Sequence, residues 1–257
     1  MAAPASNPEG NGWAAYLGAF HARWPGITEA VLTRATTDDG DDPYDWLARA
    51  LPDHGIVVDL ACGSGPLAAR SPPGWIGLDN SAAELGHAAR IAPGRVALGD
   101  GTSPPLRAGA ADAVVCSMAL MLFDDPQRVA IGMTRLLRPA ASLVALLPST
   151  APLTLRDRAR YARLMAALGL RRLPFRHHHV LRRPHAALTA AGLTVTHDDR
   201  RRFAYPVTDP DAARLWLRSL YLPDLDPHRQ RAARQLTARW TGTDIGLPLR
   251  RIVATTT

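Results

Sequence analysis

The sequence predicts an α/β fold: a doubly wound, mostly parallel sheet with helices on both faces and an antiparallel last strand. Three observations carry this. Short apolar runs alternate with helical stretches from residue 56 onward. A glycine-rich turn follows the first run, and acidic residues end the first three. At 257 residues the chain is long enough to bury a core and suits one decorated domain.

The elements follow in order. The small, turn-forming start over 1–11 predicts a frayed segment. Trp13, Tyr16, Leu17 and Phe20 share the i, i+3, i+4, i+7 face of a helix. Two further helices are expected at 27–34 and 43–51, separated by the acidic loop Thr36-Thr37-Asp38-Asp39-Gly40-Asp41-Asp42. Ile56-Val57-Val58-Asp59-Leu60 reads as a buried parallel strand. Its glycine turn leads to Pro66, placed as a first helical residue. Trp75-Ile76-Gly77-Leu78-Asp79 and Arg95-Val96-Ala97-Leu98 predict the second and third strands. Between them Ser81-Ala82-Ala83-Glu84 has the form of a capping box opening a helix to residue 91. Strands four and five fall at 112–118 and 142–148, joined by a helix that starts at Asp125-Pro126. A helix over 154–169 and a segment rich in arginine and histidine then interrupt the alternation, as an insertion laid over the sheet. Helix 184–191, a strand within 193–207, helices near 211–221 and 227–240, and a last strand at 251–255 complete the chain. The organisation expected is an N-terminal helical lid at 1–52 and one domain at 53–257, with a helical cap at about 151–183.

Composition narrows the class. Nearly half the residues are apolar, no apolar run reaches the length of a bilayer span, and Met1-Ala2-Ala3-Pro4 lacks the start of a signal peptide, so a cytoplasmic protein is expected. Cys62 and Cys116 are too few for a disulfide framework or a thiolate metal site. His177-His178-His179 does not make a metal site either, because consecutive residues do not share a face, and no metal is expected. The net charge of +7 comes wholly from arginine, which a coding bias explains as readily as an acidic partner.

The chemistry concentrates in the first half. Gly63-Ser64-Gly65 lets a ligand approach the backbone. By itself the turn also satisfies the loose dinucleotide pattern, with Ala68 in the third position. Asp79 and Asp100 end the second and third strands, and with Asp59 they would place three carboxylates in one crevice. Burying that much like charge without a ligand would be costly.

Asp59-Leu60-Ala61-Cys62-Gly63-Ser64-Gly65 resembles motif I of the class I, Rossmann-like S-adenosylmethionine (SAM)-dependent methyltransferases. Leu78-Asp79, Gly99-Asp100-Gly101, the run 111–117 and Leu136-Leu137-Arg138-Pro139 resemble their second, third, fourth and pre-fifth-strand segments. The resemblance is close over 56–150, and beyond that only the order of elements matches. It implies that Asp59, Ala61, Gly63, Ser64 and Gly65 hold the amino acid end of SAM. It implies Asp79 and Asn80 at the ribose, Asp100 and Gly101 at the adenine, and Ser117 and Met118 on the methyl side. The sign of Asp59 agrees: a carboxylate repels a pyrophosphate and attracts the SAM ammonium.

On the substrate side the candidates are Tyr16, His21, Ser149 and Tyr161, with apolar packing or helix capping as the plainer roles of Tyr16, Ser149 and Tyr161. The absence of a triad is no obstacle, since methyl transfer rests mostly on proximity and alignment. The expectation is methylation of a small molecule in bacterial secondary metabolism, by a monomer or homodimer. One alternative is cyclisation of SAM itself with release of methylthioadenosine. Phe20-His21-Ala22-Arg23-Trp24-Pro25-Gly26-Ile27-Thr28-Glu29 and Pro43-Tyr44-Asp45-Trp46-Leu47 resemble the N-terminal region of a bacterial methyltransferase-like group, some of whose wider relatives are thought to do this. A second alternative is RNA methylation, suggested by nine arginines over 156–183. Against it, few aromatic platforms accompany them, and Ser117-Met118-Ala119-Leu120 stands where base amino-methyltransferases carry Asn/Asp-Pro-Pro-aromatic.

Overall fold

A computed structural model describes residues 11–256; the expected frayed start lies outside the described residues, apart from Asn11 at the head of the first helix. Helices α1 (Asn11–Arg23), α2 (Ile27–Leu32) and α3 (Pro43–Ala48) precede the sheet. Strands β1 (Ile56–Leu60), β2 (Gly74–Asp79), β3 (Val96–Leu98), β4 (Ala111–Ser117) and β5 (Leu137–Pro148) follow, with α4 (Ala82–Ile91) after β2 and α5 (Pro126–Leu136) before β5. Next come α6 (Leu155–Leu168), α7 (His178–Arg182), α8 (Pro184–Ala190) and β6 (Leu193–Val207). Helices α9 (Pro210–Ser219) and α10 (Pro227–Ala238) lead to β7 (Thr243–Thr256).

The seven strands order as β3-β2-β1-β4-β5-β7-β6. Pairs among β1 to β5 are parallel, and β7 runs antiparallel to both β5 and β6. Strand order reverses between β1 and β4, which opens a crevice at their carboxyl ends. Alternate side chains of β1 feed two cores. Val57 joins Trp46, Trp75, Trp216 and Trp240 on one face, and Val58 joins Val114, Cys116 and Met133 on the other. Both cysteines are buried and free.

Four details depart from expectation. The segment after the glycine turn is a short 3-10 turn, Ala68–Arg70, because Pro72 and Pro73 leave no room for an α-helix. β7 is fourteen residues long, far beyond the five expected at 251–255, because pairing with β6 carries it through Gly246 and Pro248. Arg160 shares a polar face of the 154–169 helix with Arg156 and Arg163, a pattern that predicts solvation, yet it is buried, with Nη2 donating to Thr243 Oγ1 at 2.7 Å and its guanidinium against Trp240. The Ser81 cap forms from one side only: its hydroxyl accepts the Glu84 N–H, while the Glu84 carboxylate turns elsewhere.

Asp157 joins α6 to the distal sheet. It sits 1% exposed and accepts from Thr154 N and Oγ1, Gly246 N and the Arg202 guanidinium. Burial alone would raise its carboxyl, yet these donors hold it well below the usual carboxylate range. Asp157→Ala should lower unfolding free energy by about 2 kcal/mol in urea titrations, since it leaves the buried Gly246 N–H without its acceptor and takes one of two carboxylate partners from Arg202, which keeps Asp244.

Candidate active site

The glycine turn is built by backbone demands. Gly63 and Gly65 take left-handed φ of 55° and 84°, and a Cβ on Gly65 would lie 3.0 Å from Ala88 Cβ. Asp79 fixes the turn from the next strand: Oδ2 accepts the Gly63 N–H and Oδ1 the Ser81 N–H, each at 2.8 Å. Asp59, at the carboxyl end of β1, is 1% exposed. Its Oδ2 accepts the Trp75 indole N–H at 3.3 Å, and its Oδ1 has no partner. Burial raises the Asp59 carboxyl to about 7, with Asp79 adding repulsion against the one indole donor. The Asp79 carboxyl is also raised, chiefly by burial.

A cavity of about 780 Å³ opens at the strand ends, within the size range that holds small ligands. Asp59, Ala61, Gly63, Ser64, Asp79, Asn80, Asp100, Ser117 and Met118 all line it. Gly65 and Gly101 do not: Gly65 faces Ala88, and a Cβ on Gly101 would strike Phe123 at 2.8 Å. Their glycines serve close packing. Asp100 corrects the expectation of three buried acids. It is exposed, and its carboxylate, held low by the N–H and hydroxyl of Thr102, reaches the cavity only at the rim.

Helix α1 lies across the mouth, contributing Ala14, Leu17, Gly18, His21 and Ala22. Trp13 Nε1 donates to the Leu122 carbonyl at 3.1 Å on the β4 side. On the α4 side, His21 Nδ1 lies 2.8 Å from Glu84 Oε1 and His21 Nε2 lies 3.2 Å from the Tyr221 hydroxyl. Glu84 Oε2 accepts the Gly26 N–H at 2.8 Å, so one buried carboxylate fastens both ends of the α1–α2 corner.

Of the substrate-side candidates, only His21 reaches the cavity. Tyr16 accepts the Leu222 N–H and packs on Trp13 and Phe20, outside the lining. Ser149 hydrogen-bonds Ala151 locally, as a capping segment does. Tyr161 donates to the Gly246 carbonyl and packs on Trp216, in the core. Within the expected 151–183 cap, no residue lines the cavity, and α6 packs against α10. The second half instead sends Tyr221, from the α9–α10 connection. His177 meets the Asp124 carbonyl and the His179 ring, and among the described residues no group of His, Cys, Asp and Glu is placed to hold a metal.

Glu29, Tyr44, Glu84, Phe123, Asp124 and Tyr221 are among the lining residues that sequence reasoning missed. Glu84 carried a signal but pointed to a cap. Tyr221 carried none, because its place depends on how the β6–β7 connection folds back.

Residues 58–145 match the family model described as a methyltransferase domain. The matched stretch runs from β1 to β5 and coincides with the segment whose motifs resemble the class I SAM-dependent methyltransferases. No curated protein matches it in sequence. Among solved structures it is similar to the [4+2]-cyclase SpnF, at 18% identity and TM-score 0.60, over 93% of this chain and 95% of that one. It is also similar to a Bacillus halodurans protein named as a methyltransferase, at 15% identity and TM-score 0.56, over 84% and 99%. A third is a chain of the complex between the Haloferax volcanii Trm112 methyltransferase activator and a methyltransferase, at 18% and 0.56, over 93% and 96%. At these identities the likenesses speak for the fold alone.

The methyltransferase-domain match supports a SAM-dependent transferase, and the cavity fits the cofactor. The unpartnered Asp59 Oδ1 wants a donor such as an ammonium, and Leu122 and Phe123 offer apolar surface. For a carboxyl raised to about 7 in the free protein, the folded chain holds a proton that the unfolded chain has lost, so this group subtracts stability as pH rises from about 4 to 7. A bound ammonium favours the charged form. SAM affinity should therefore rise about tenfold between pH 5.5 and 7, and Asp59→Asn should flatten that rise in calorimetric titrations.

Proposed function

We propose that this transferase methylates a small molecule, with SAM held at the carboxyl ends of β1, β2 and β4. The observation that carries the reading is the cavity wall on which Asp59, the Gly63 turn, Asp79, Asn80, Ser117 and Met118 meet beneath α1. In this reading Asp59 receives the ammonium of the amino acid end, beside the Gly63 and Ser64 backbone. Asp79 and Asn80 take the ribose hydroxyls, Asp100 and Thr102 stand at the adenine edge, and Ser117 and Met118 flank the methyl-bearing sulfur. The cofactor supplies an activated methyl group with a neutral thioether as leaving group.

What the chain must do is bind, align and exclude water. The α1–α2 corner acts as the lid, and its fastening at Trp13 and His21 holds it over the mouth from two sides. A macromolecular acceptor fits poorly. RNA would bring phosphates to a mouth lined by carboxylates, whereas RNA-binding surfaces present cations. The arginines of 156–183 do not line that mouth.

Incubation with SAM alone and then with extracts of small molecules, read by mass, tests the reading. S-adenosylhomocysteine that appears only with an acceptor is the expected product. Methylthioadenosine from SAM alone would replace methyl transfer by cyclisation. Asp79→Ala should weaken SAM binding by about tenfold or more, in line with lost hydrogen bonds to a charged group. Because Asp79 also holds Gly63 N, Asp79→Asn, which keeps an acceptor for that N–H, separates loss of ribose contact from loss of the turn.

A further inference from the structure

The chain carries 30 arginines against 23 acidic residues, yet its cavity inverts that balance. Six carboxylates line it (Glu29, Asp59, Asp79, Glu84, Asp100 and Asp124), no arginine does, and His21 is its one basic side chain. Two of the six are answered. Glu84 meets His21 at 2.8 Å, and Asp124 pairs with Arg176. The other four receive only uncharged donors. Glu29 takes the Ser64 hydroxyl, Asp59 the Trp75 indole, Asp79 the Gly63 and Ser81 N–H groups, and Asp100 the N–H and hydroxyl of Thr102. Asp59 Oδ1, 1% exposed at residue level, has no donor at all.

SAM carries one net positive charge at neutral pH: a sulfonium and an ammonium against a carboxylate. Burial favours the protonated forms of Asp59 and Asp79, but Glu29 and Asp100 alone outnumber that single charge and leave the cavity negative. A second ligand bearing phosphate or carboxylate would add like charge in a partly desolvated space, where such repulsion is least screened. A cation would relieve it. The lining also includes the aromatic residues Phe123 and Tyr221, and aromatic rings attract organic cations through their quadrupole. Glu29, in the first turn of α2, is the carboxylate that the strand-end arrangement does not account for.

We infer that the second ligand of this cavity is a small organic ammonium compound, with Glu29 as its principal anion. The inference rests on the SAM reading of the same site. The test therefore begins with S-adenosylhomocysteine, which has no net charge. The protein is saturated with it and then titrated calorimetrically with tetramethylammonium, phenethylammonium and 1,4-diammoniobutane, and with 2-phenylethanol and 3-phenylpropionate as neutral and anionic counterparts. At least one ammonium probe should bind about tenfold more tightly than both counterparts. Raising salt to about 0.5 M should narrow that preference. Glu29→Gln should cut the preference about tenfold, and Glu29→Asp, which keeps the charge, should retain most of it.

Tighter binding of the carboxylate or the alcohol, or no binding of any ammonium probe to the loaded protein, overturns the inference and leaves the cofactor reading standing. So does a preference that survives Glu29→Gln unchanged. If S-adenosylhomocysteine itself does not bind, the cofactor reading fails, and this inference fails with it.

Discussion

The site depends on one contact, the Asp79 carboxylate receiving the N–H groups of Gly63 and Ser81. It joins three pieces the chain brings together from separate places: the turn after β1, the end of β2 and the start of α4. A left-handed Gly63 points its N–H out of any local turn, and a buried N–H needs an acceptor. Asp79 supplies that acceptor at the cost of burying a carboxylate, which is why its proton is held more tightly than usual. The same placement keeps the residue in the cavity wall, so the group that braces the turn is also part of the lining.

The second constraint is the diversion of Glu84. A capping box would have spent this side chain on its own helix. Instead it leaves Ser81 to cap α4 alone and reaches across to His21 and Gly26 N. The cost is one uncompleted cap, worth about 1 kcal/mol. The gain is a fixed roof: α1 is held at Glu84 on one side, at Leu122 on the other, and at Tyr221 and Leu222 from the α9–α10 connection. Local and global demands disagree at this residue, and such disagreements concentrate at functional sites.

Period and punctuation made most of the fold legible. The apolar runs of β1, β2, β4 and β5, the caps at Asp125 and Thr154 and the stop at Gly169 are local signals, and the structure forms them locally. β7 was legible only in its apolar half, because the rest is strand through partnership with β6 and not through propensity. The strand-end acids were legible for the same local reason, but their environments were not. Asp59 and Asp100 look alike in sequence, yet one is sealed under Trp75 and the other hydrogen-bonds Thr102 at the surface. Burial is a property of the packing around a residue, and Tyr221 shows the limit, since it reaches the cavity from two hundred residues past its partner His21.

Two backbone positions show what the crevice costs. Ala61 and Met118, just past the ends of β1 and β4, are non-glycine residues at φ of 60° and 57°, and both line the cavity. A left-handed residue with a Cβ costs about 1–2 kcal/mol. Glycine would remove that strain at either place, and would also widen the conformations open to the turn. Strands β1 and β4 are the pair across which strand order reverses, so these two residues are where the chain must leave the sheet in opposite directions. Their side chains form opposite lips of the cleft between those strands. Strained backbone of this kind persists where the surrounding structure over-determines it, and here it falls at the two strand exits that border the cavity wall carrying Asp59 and Ser117.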